Sequence, residues 1–207
     1  MHVAKLARIA LKRETGSMLP WRTGSAGSEE AHEPTDVLLQ CHDRIRHFTT
    51  VALRFAHSSH ASPRLVRDAA SALRRYFGTS LPLHERDEED CITPRLLEGR
   101  GRPDLEHLLA RMAGDHRAID ETLATLDELW AKVMAQPESL ARLGESLHGR
   151  ARTLASLFET HLQLEEEKIF PAIGLLPEAT RKTLLREIRD RRTSGTLSIP
   201  PASGGSR

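Results

Sequence analysis

Two segments of this chain are written to one rule. His84-Glu-Arg-Asp-Glu88-Glu89-Asp90-Cys-Ile92-Thr-Pro94 returns 77 positions later as His161-Leu-Gln-Leu-Glu165-Glu166-Glu167-Lys-Ile169-Phe-Pro171. Each runs His, Glu at +4, Glu at +5, an acid at +6, Ile at +8 and Pro at +10. Residues four apart on a helix lie one above the other, so each segment can offer an imidazole and a carboxylate to a common point. The spacing alone carries little. With 29 acids in 207 residues, a given His meets one at +4 about one time in seven. His32/Asp36 and His116/Asp120 show the same spacing. The weight lies in the repeat, which chance does not reproduce at five offsets.

Composition narrows the setting. The chain is long enough for one domain with a substantial core plus tails. Its formal charge is +1 and its Arg residues are interspersed with acids, so neither a nucleic acid nor an anionic membrane is an expected partner. Aromatics at 4% are few for an all-β core or a base-stacking surface, whereas abundant Leu, Ala, Arg and Glu favour helices. No run of 18 apolar residues occurs, so no spanning helix is expected. The basic residues 1–13 are broken by Lys5 and Arg8 where a secretory signal needs an apolar core, and read as a short surface helix or frayed end. Cys41 and Cys91 stand in no zinc-type spacing and read as small buried residues in a reduced, cytoplasmic setting.

Residues 1–35 read as a flexible segment, rich in Gly, Ser, Glu and Pro over 14–35. A first helix is expected from Thr35 or Asp36, with either as its cap, to about Ala56; Leu38, His42, Ile45, Thr49 and Ala52 share its inner face. Ser62 and Pro63 open a second, carrying Leu65, Leu73, Tyr76 and Phe77. Gly78, Ser80 and Pro82 predict a kink before His84, and Pro94 predicts the end. A third runs from about Pro103 to Ala135 with Met112, His116 and Ile119 in its stripe. Pro137 opens a fourth through Leu147, Leu154, Phe158, His161 and Glu165, ended by Pro171. Residues 176–192 read as a short accessory helix whose Arg189, Arg191 and Arg192 form a solvated end, and 193–207 as a disordered tail.

His42 and His116 lie 74 apart, and each precedes one His-x-x-x-Glu segment. The chain is therefore a helix pair used twice. Four long helices with short connections predict an all-α protein, an up-down-up-down antiparallel four-helix bundle over 36–175 with a short C-terminal helix and flexible tails. Its inward stripes would bring together His42, His84, Glu88, His116, His161 and Glu165. Six donors exceed what one tetrahedral zinc needs, and two carboxylates are too few for calcium. Imidazole with carboxylate suits iron, and also manganese or zinc. The two-fold repeat points to two ions bridged by the two Glu at about 4 Å. Without metal, these groups would be costly to bury.

On these residues the chain resembles the bacterial hemerythrin-like proteins, the HHE cation-binding family. The resemblance covers about 36–175 and rests on His42, His84-x-x-x-Glu88-Glu89 with Pro94, His116, and His161-x-x-x-Glu165-Glu166 with Phe170-Pro171. It implies a bundle around a non-haem di-iron centre, two Fe ions with an oxo or hydroxo bridge, open to O2, peroxide or NO. Three residues stand aside from the family pattern or beside it. Oxygen carriers have a further His where Asp120 stands, so Asp120 either ligates as a carboxylate or leaves a position to water. Glu85 directly follows His84, as an acid does in some relatives, yet on a regular helix it points about 100° away from it. Tyr76, two turns before His84, is either a hydrogen-bond or electron donor beside the site or an ordinary core residue. The carriers' fourth-helix acid is an Asp at +5, whereas Glu165 stands at +4. Fewer imidazoles and more oxygen donors favour the ferric state and reactivity over reversible carriage. The leading reading is a soluble di-iron protein binding O2 or a related oxidant for sensing, scavenging or protection, with oxidase- or peroxidase-type activity within its reach. The alternatives are an iron-handling or iron–sulfur repair protein, and a metal-stabilised interaction module without chemistry.

Overall fold

Why the chain turns where it does is clearest at its first helix. A computed structural model describes residues 31–98 and 102–196, with side chains to 193. Helix α1 spans Pro34–Phe55, with Pro34 in its first turn, where a missing N–H is harmless. The Asp36 carboxylate accepts the backbone N–H groups of His32 (3.0 Å) and Glu33 (2.9 Å), tying down the entry. The cap is thus Glu33, rather than Thr35 or Asp36, because Asp36 serves from inside the first turn. The expected leading helix, Trp21 and the tail beyond 196 lie outside the described residues.

All regular elements among the described residues are helical. Beyond α1 come α2 (Pro63–Arg75), α3 (Leu81–Arg86), α4 (Thr93–Leu97), α5 (Pro103–Ala135), α6 (Leu140–Leu164), α7 (Phe170–Gly174) and α8 (Glu178–Thr196). A 3-10 turn, Pro137–Ser139, leads into α6. The run 63–97 is one helical rod, in which two π turns, Tyr76–Ser80 and Asp87–Ile92, separate α2, α3 and α4. The run 140–174 is another, with a π turn at Glu165–Ile169 between α6 and α7.

The π turns and the prolines explain one another. Leu81 N–H reaches back five residues to the Tyr76 carbonyl, Thr93 to Glu88 and Phe170 to Glu165. In each case the next residue is proline: Pro82, Pro94 and Pro171. A proline inside a helix lacks a donor and pushes its ring against the carbonyl four residues back. Widening the preceding turn by one residue moves that carbonyl out of register and lets the rod continue. Pro94 and Pro171 therefore do not end their helices, as the sequence led one to expect; α4 and α7 carry on past them.

The apolar stripes meet in two main clusters. One gathers Ile45, Phe48, Leu73, Leu81, Ile119 and Leu162 with many others. The second gathers Leu38, Ile92, Met112, Ile169, Phe170 and Leu184. Along every rod, the proposed donors fall between a member of one cluster and a member of the other. Helix α5 packs on α6 and α2, and α1 on α6 and α2.

Helix α8 lies against α1, α3 and the 87–92 turn. Arg189 is exposed, as a solvated end requires, but Arg191 and Arg192 are not part of one. Arg191 Nε donates to Asp87 Oδ1 at 2.9 Å and Arg192 Nη1 to Asp87 Oδ2 at 2.5 Å. Their second nitrogens reach Cys91 Sγ (2.9 Å) and Cys41 Sγ (3.2 Å). A fully buried aspartate cannot stand alone in an apolar setting, and it draws the guanidiniums down from the last turns of α8.

Candidate metal centre

Each rod contributes to a polar layer enclosed by the two apolar clusters. His42 comes from α1, His84 from α3, Glu88 from the 87–92 turn, His116 from α5, His161 from α6, and Glu165 from the 165–169 turn. All six are buried. His42, His84, Glu88 and Glu165 present donor atoms within 4.8 Å of one another, and so do His116, His161, Glu88 and Glu165. The two carboxylates belong to both groups. Glu165 lies 3.1 Å from His42 Nε2 and 3.1 Å from His161 Nε2, and Glu88 lies 3.5 Å from His84 Nε2 and 3.4 Å from His116 Nε2.

These contacts are close without being aligned as hydrogen bonds. The Nε2 atoms of His42, His84 and His116 and both oxygens of Glu88 and Glu165 are buried with no hydrogen-bond partner. Orphaned groups of this kind cost about 1–3 kcal/mol each. A cation accepting their lone pairs would satisfy them together, so the donor set fits a bound metal and fits nothing in the apolar surroundings.

The π turns supply what the spacing could not. On a regular helix the +5 residue would lie about 140° round from the His. In a turn bonded five residues back, residues five apart stack nearly as residues four apart do elsewhere. Both acids of each segment therefore face the layer, the +4 acid at its centre and the +5 acid at its edge. Glu166 Oε1 accepts His42 Nδ1 at 2.7 Å and is itself held by Arg46 Nη2 at 2.7 Å. Glu89 Oε1 accepts His116 Nδ1 at 2.8 Å. A carboxylate at Nδ1 fixes the tautomer whose bare Nε2 points inward. Both acids stand in the repeat, but regular-helix spacing assigns them no role. His161 Nδ1 is 3.8 Å from Asp115, too far for a hydrogen bond, and His84 Nδ1 has no partner.

Electrostatics follow from burial. Burial, and then the neighbouring Glu165, push the Glu88 carboxyl well above the usual range. Glu165 is held below that range: burial opposes its charge, but the imidazoles of His161 and His42 outweigh it. Burial and the nearby His42 hold His84 well below the ordinary imidazole value. Kept neutral, His84 is ready to ligate.

The three further candidates lie outside both donor groups. Asp120 is exposed. Glu85 is half-buried, its carboxyl raised to about 7 by burial and by Asp120. Tyr76 stacks on Phe48 with ring centres 3.9 Å apart, inside the larger apolar cluster, and burial pushes its hydroxyl up. A groove of about 600 Å³ is lined by Arg46, Thr49, Phe158, Leu162, Gln163 and Glu166.

The family model for the hemerythrin HHE cation-binding domain matches residues 33–173. The chain belongs to the hemerythrin HHE family. The match begins at the cap of α1 and stops within α7, so this hemerythrin domain takes in all six buried donors and leaves α8 outside. No curated protein matches the chain.

Proposed function

We propose that this hemerythrin-like protein holds two iron ions, one in each four-donor group, and that the pair binds O2 or a related small oxidant. The observation that carries this reading is the sharing of Glu88 and Glu165 between groups of otherwise separate imidazoles. Two carboxylates common to two sites would serve both ions, and imidazole with carboxylate suits iron, with zinc or manganese as substitutes. When bound, an iron pair supplies one-electron steps and an open position for a diatomic or peroxide ligand.

The chain's own residues set how that centre would behave. Four imidazoles and two carboxylates leave positions unfilled, because Asp120, standing where carriers have a further His, is exposed. Glu166 and Glu89 make His42 and His116 more basic donors, which favours the ferric state. Both features favour reaction over reversible carriage, hence sensing, scavenging or protection. The apolar clusters above and below exclude bulk water. Successive rods cross the two clusters in opposite order, which supports the up-down-up-down four-helix bundle over 36–175. The free thiols of Cys41 and Cys91 are in keeping with a reducing cytoplasm. No helix among the described residues is long and apolar enough to cross a membrane.

Metal analysis with an optical spectrum, before and after dithionite and then air, tests the reading. About two irons per chain are expected, with charge-transfer absorption lost on reduction and restored by air. One tightly held zinc and no iron would reject it. Glu88→Ala and Glu165→Ala should each abolish the paired spectrum, not merely lower thermal stability.

A further inference from the structure

At the other end of α6, two histidines outside the centre face each other. His57, in the turn after α1, places Nε2 3.0 Å from Nδ1 of His148, an exposed contact. His148 precedes His161 by 13 residues on one helix, so the pair sits about 20 Å from the buried donors. What brings it together is Gly144, one turn before His148. A β-carbon there would lie 2.7 Å from the backbone oxygen of Ala56, the residue before His57. The missing side chain lets α6 press against the end of α1.

We propose that His57 and His148 form a second metal site, a two-imidazole clamp for a divalent late transition ion. Two nitrogens bound to one ion at about 2.0–2.1 Å stand about 2.9 Å apart when at right angles and about 3.3 Å apart in a tetrahedron. The observed 3.0 Å lies in that window. Ring orientation points the same way. At this separation, rings hydrogen-bonded head-on would have centres about 5.3 Å apart, whereas rings leaning toward a shared ion would have them about 4.6 Å apart. Here the centres are 4.4 Å apart and the planes are inclined by 54°. Binding needs little movement: the donor ring loses the proton between the nitrogens to water and takes one up on its other nitrogen, so both rings stay neutral, and the remaining positions on the ion face solvent and take water. Neutral imidazoles with water suit Cu²⁺ first, then Ni²⁺ and Zn²⁺. The clamp joins α1 to α6 at the end of the bundle where no buried donor lies.

The test uses full-length, iron-loaded protein titrated with copper(II) chloride in a non-chelating buffer and followed by electron paramagnetic resonance. One copper per chain bound through two imidazole nitrogens is expected. His57→Ala and His148→Gln should each weaken it about tenfold or more, and the exposed His107→Ala should not. Unchanged iron content in the variants checks the fold. Copper bound equally by wild type and both clamp variants, or carrying a single nitrogen, would overturn the proposal.

Discussion

Removing the carboxylate of Asp87 should loosen the C-terminal helix from the rest of the molecule. Asp87 is fully buried and bonded to both Arg191 and Arg192, whose side chains each keep 18% of their surface in solvent. Truncating one partner of a wholly buried ion pair costs about 3–5 kcal/mol, chiefly because the other charge is left stranded. Here water still reaches the guanidiniums, and Arg192 keeps the Ile188 carbonyl at 2.8 Å and the Cys41 thiol, so about 2–3 kcal/mol is the expected loss for Asp87→Ala. For a domain of this size that is a fall in Tm of about 4–12 °C. Burial raises the Asp87 carboxyl even against the two arginines, so the charged form itself is not favoured by the site. The double variant Asp87→Leu with Arg192→Met should accordingly lose less than the sum of the single changes, by about 1–3 kcal/mol. Urea unfolding of metal-free protein measures the cycle, and limited proteolysis reads release of α8 directly. Additive single effects, or Asp87→Ala within about 0.5 kcal/mol of wild type, would refute the reasoning.

Other expectations are equally concrete. Glu166→Ala removes the acceptor at His42 Nδ1 and should lower metal affinity about 10–100-fold in a chelator competition while the metal-free fold keeps its helicity. Gly144→Ala forces a β-carbon against the Ala56 carbonyl and should cost about 1–3 kcal/mol in urea unfolding, where alanine would ordinarily help a helix. In metal-free protein, Glu85 holds its proton more tightly when folded, about 7 against 4.5, so the folded state binds more protons between these values. Wild type should lose stability relative to Glu85→Gln as pH rises from about 4.5 to 7, and a pH-independent difference in urea midpoint would contradict this.

The buried donors were legible because each stands in an apolar stripe: His42 between Leu38 and Ile45, His116 between Met112 and Ile119. Matched offsets then separated His84 and His161 from His32, whose Asp36 proves to be part of a helix entry. What was not legible follows from the regular helix assumed in reading. Pro94 and Pro171 look like stops when turns are taken to be uniform, and Glu89 and Glu166 look like outward-facing residues for the same reason. Two proline-linked π turns, 87–92 and 165–169, undo both readings. Arg191 and Arg192 look solvated in the sequence for a different reason. A pair of arginines near a chain end is ordinarily solvated, and only the depth of Asp87, about a hundred residues earlier, makes them partners. No local pattern carries that depth.

The reach of the acids across the molecule has a consequence for its history and its dissection. Glu88 and Glu89 lie beside His116, and Glu165 and Glu166 lie beside His42, so each hairpin lends its acids to the other one's lone imidazole. Neither hairpin is self-sufficient, yet each carries one copy of every part. Two copies of a single hairpin, facing each other with their turns at the same end, would regenerate the full complement, so half of this chain is expected to seek a twin before it can hold an ion.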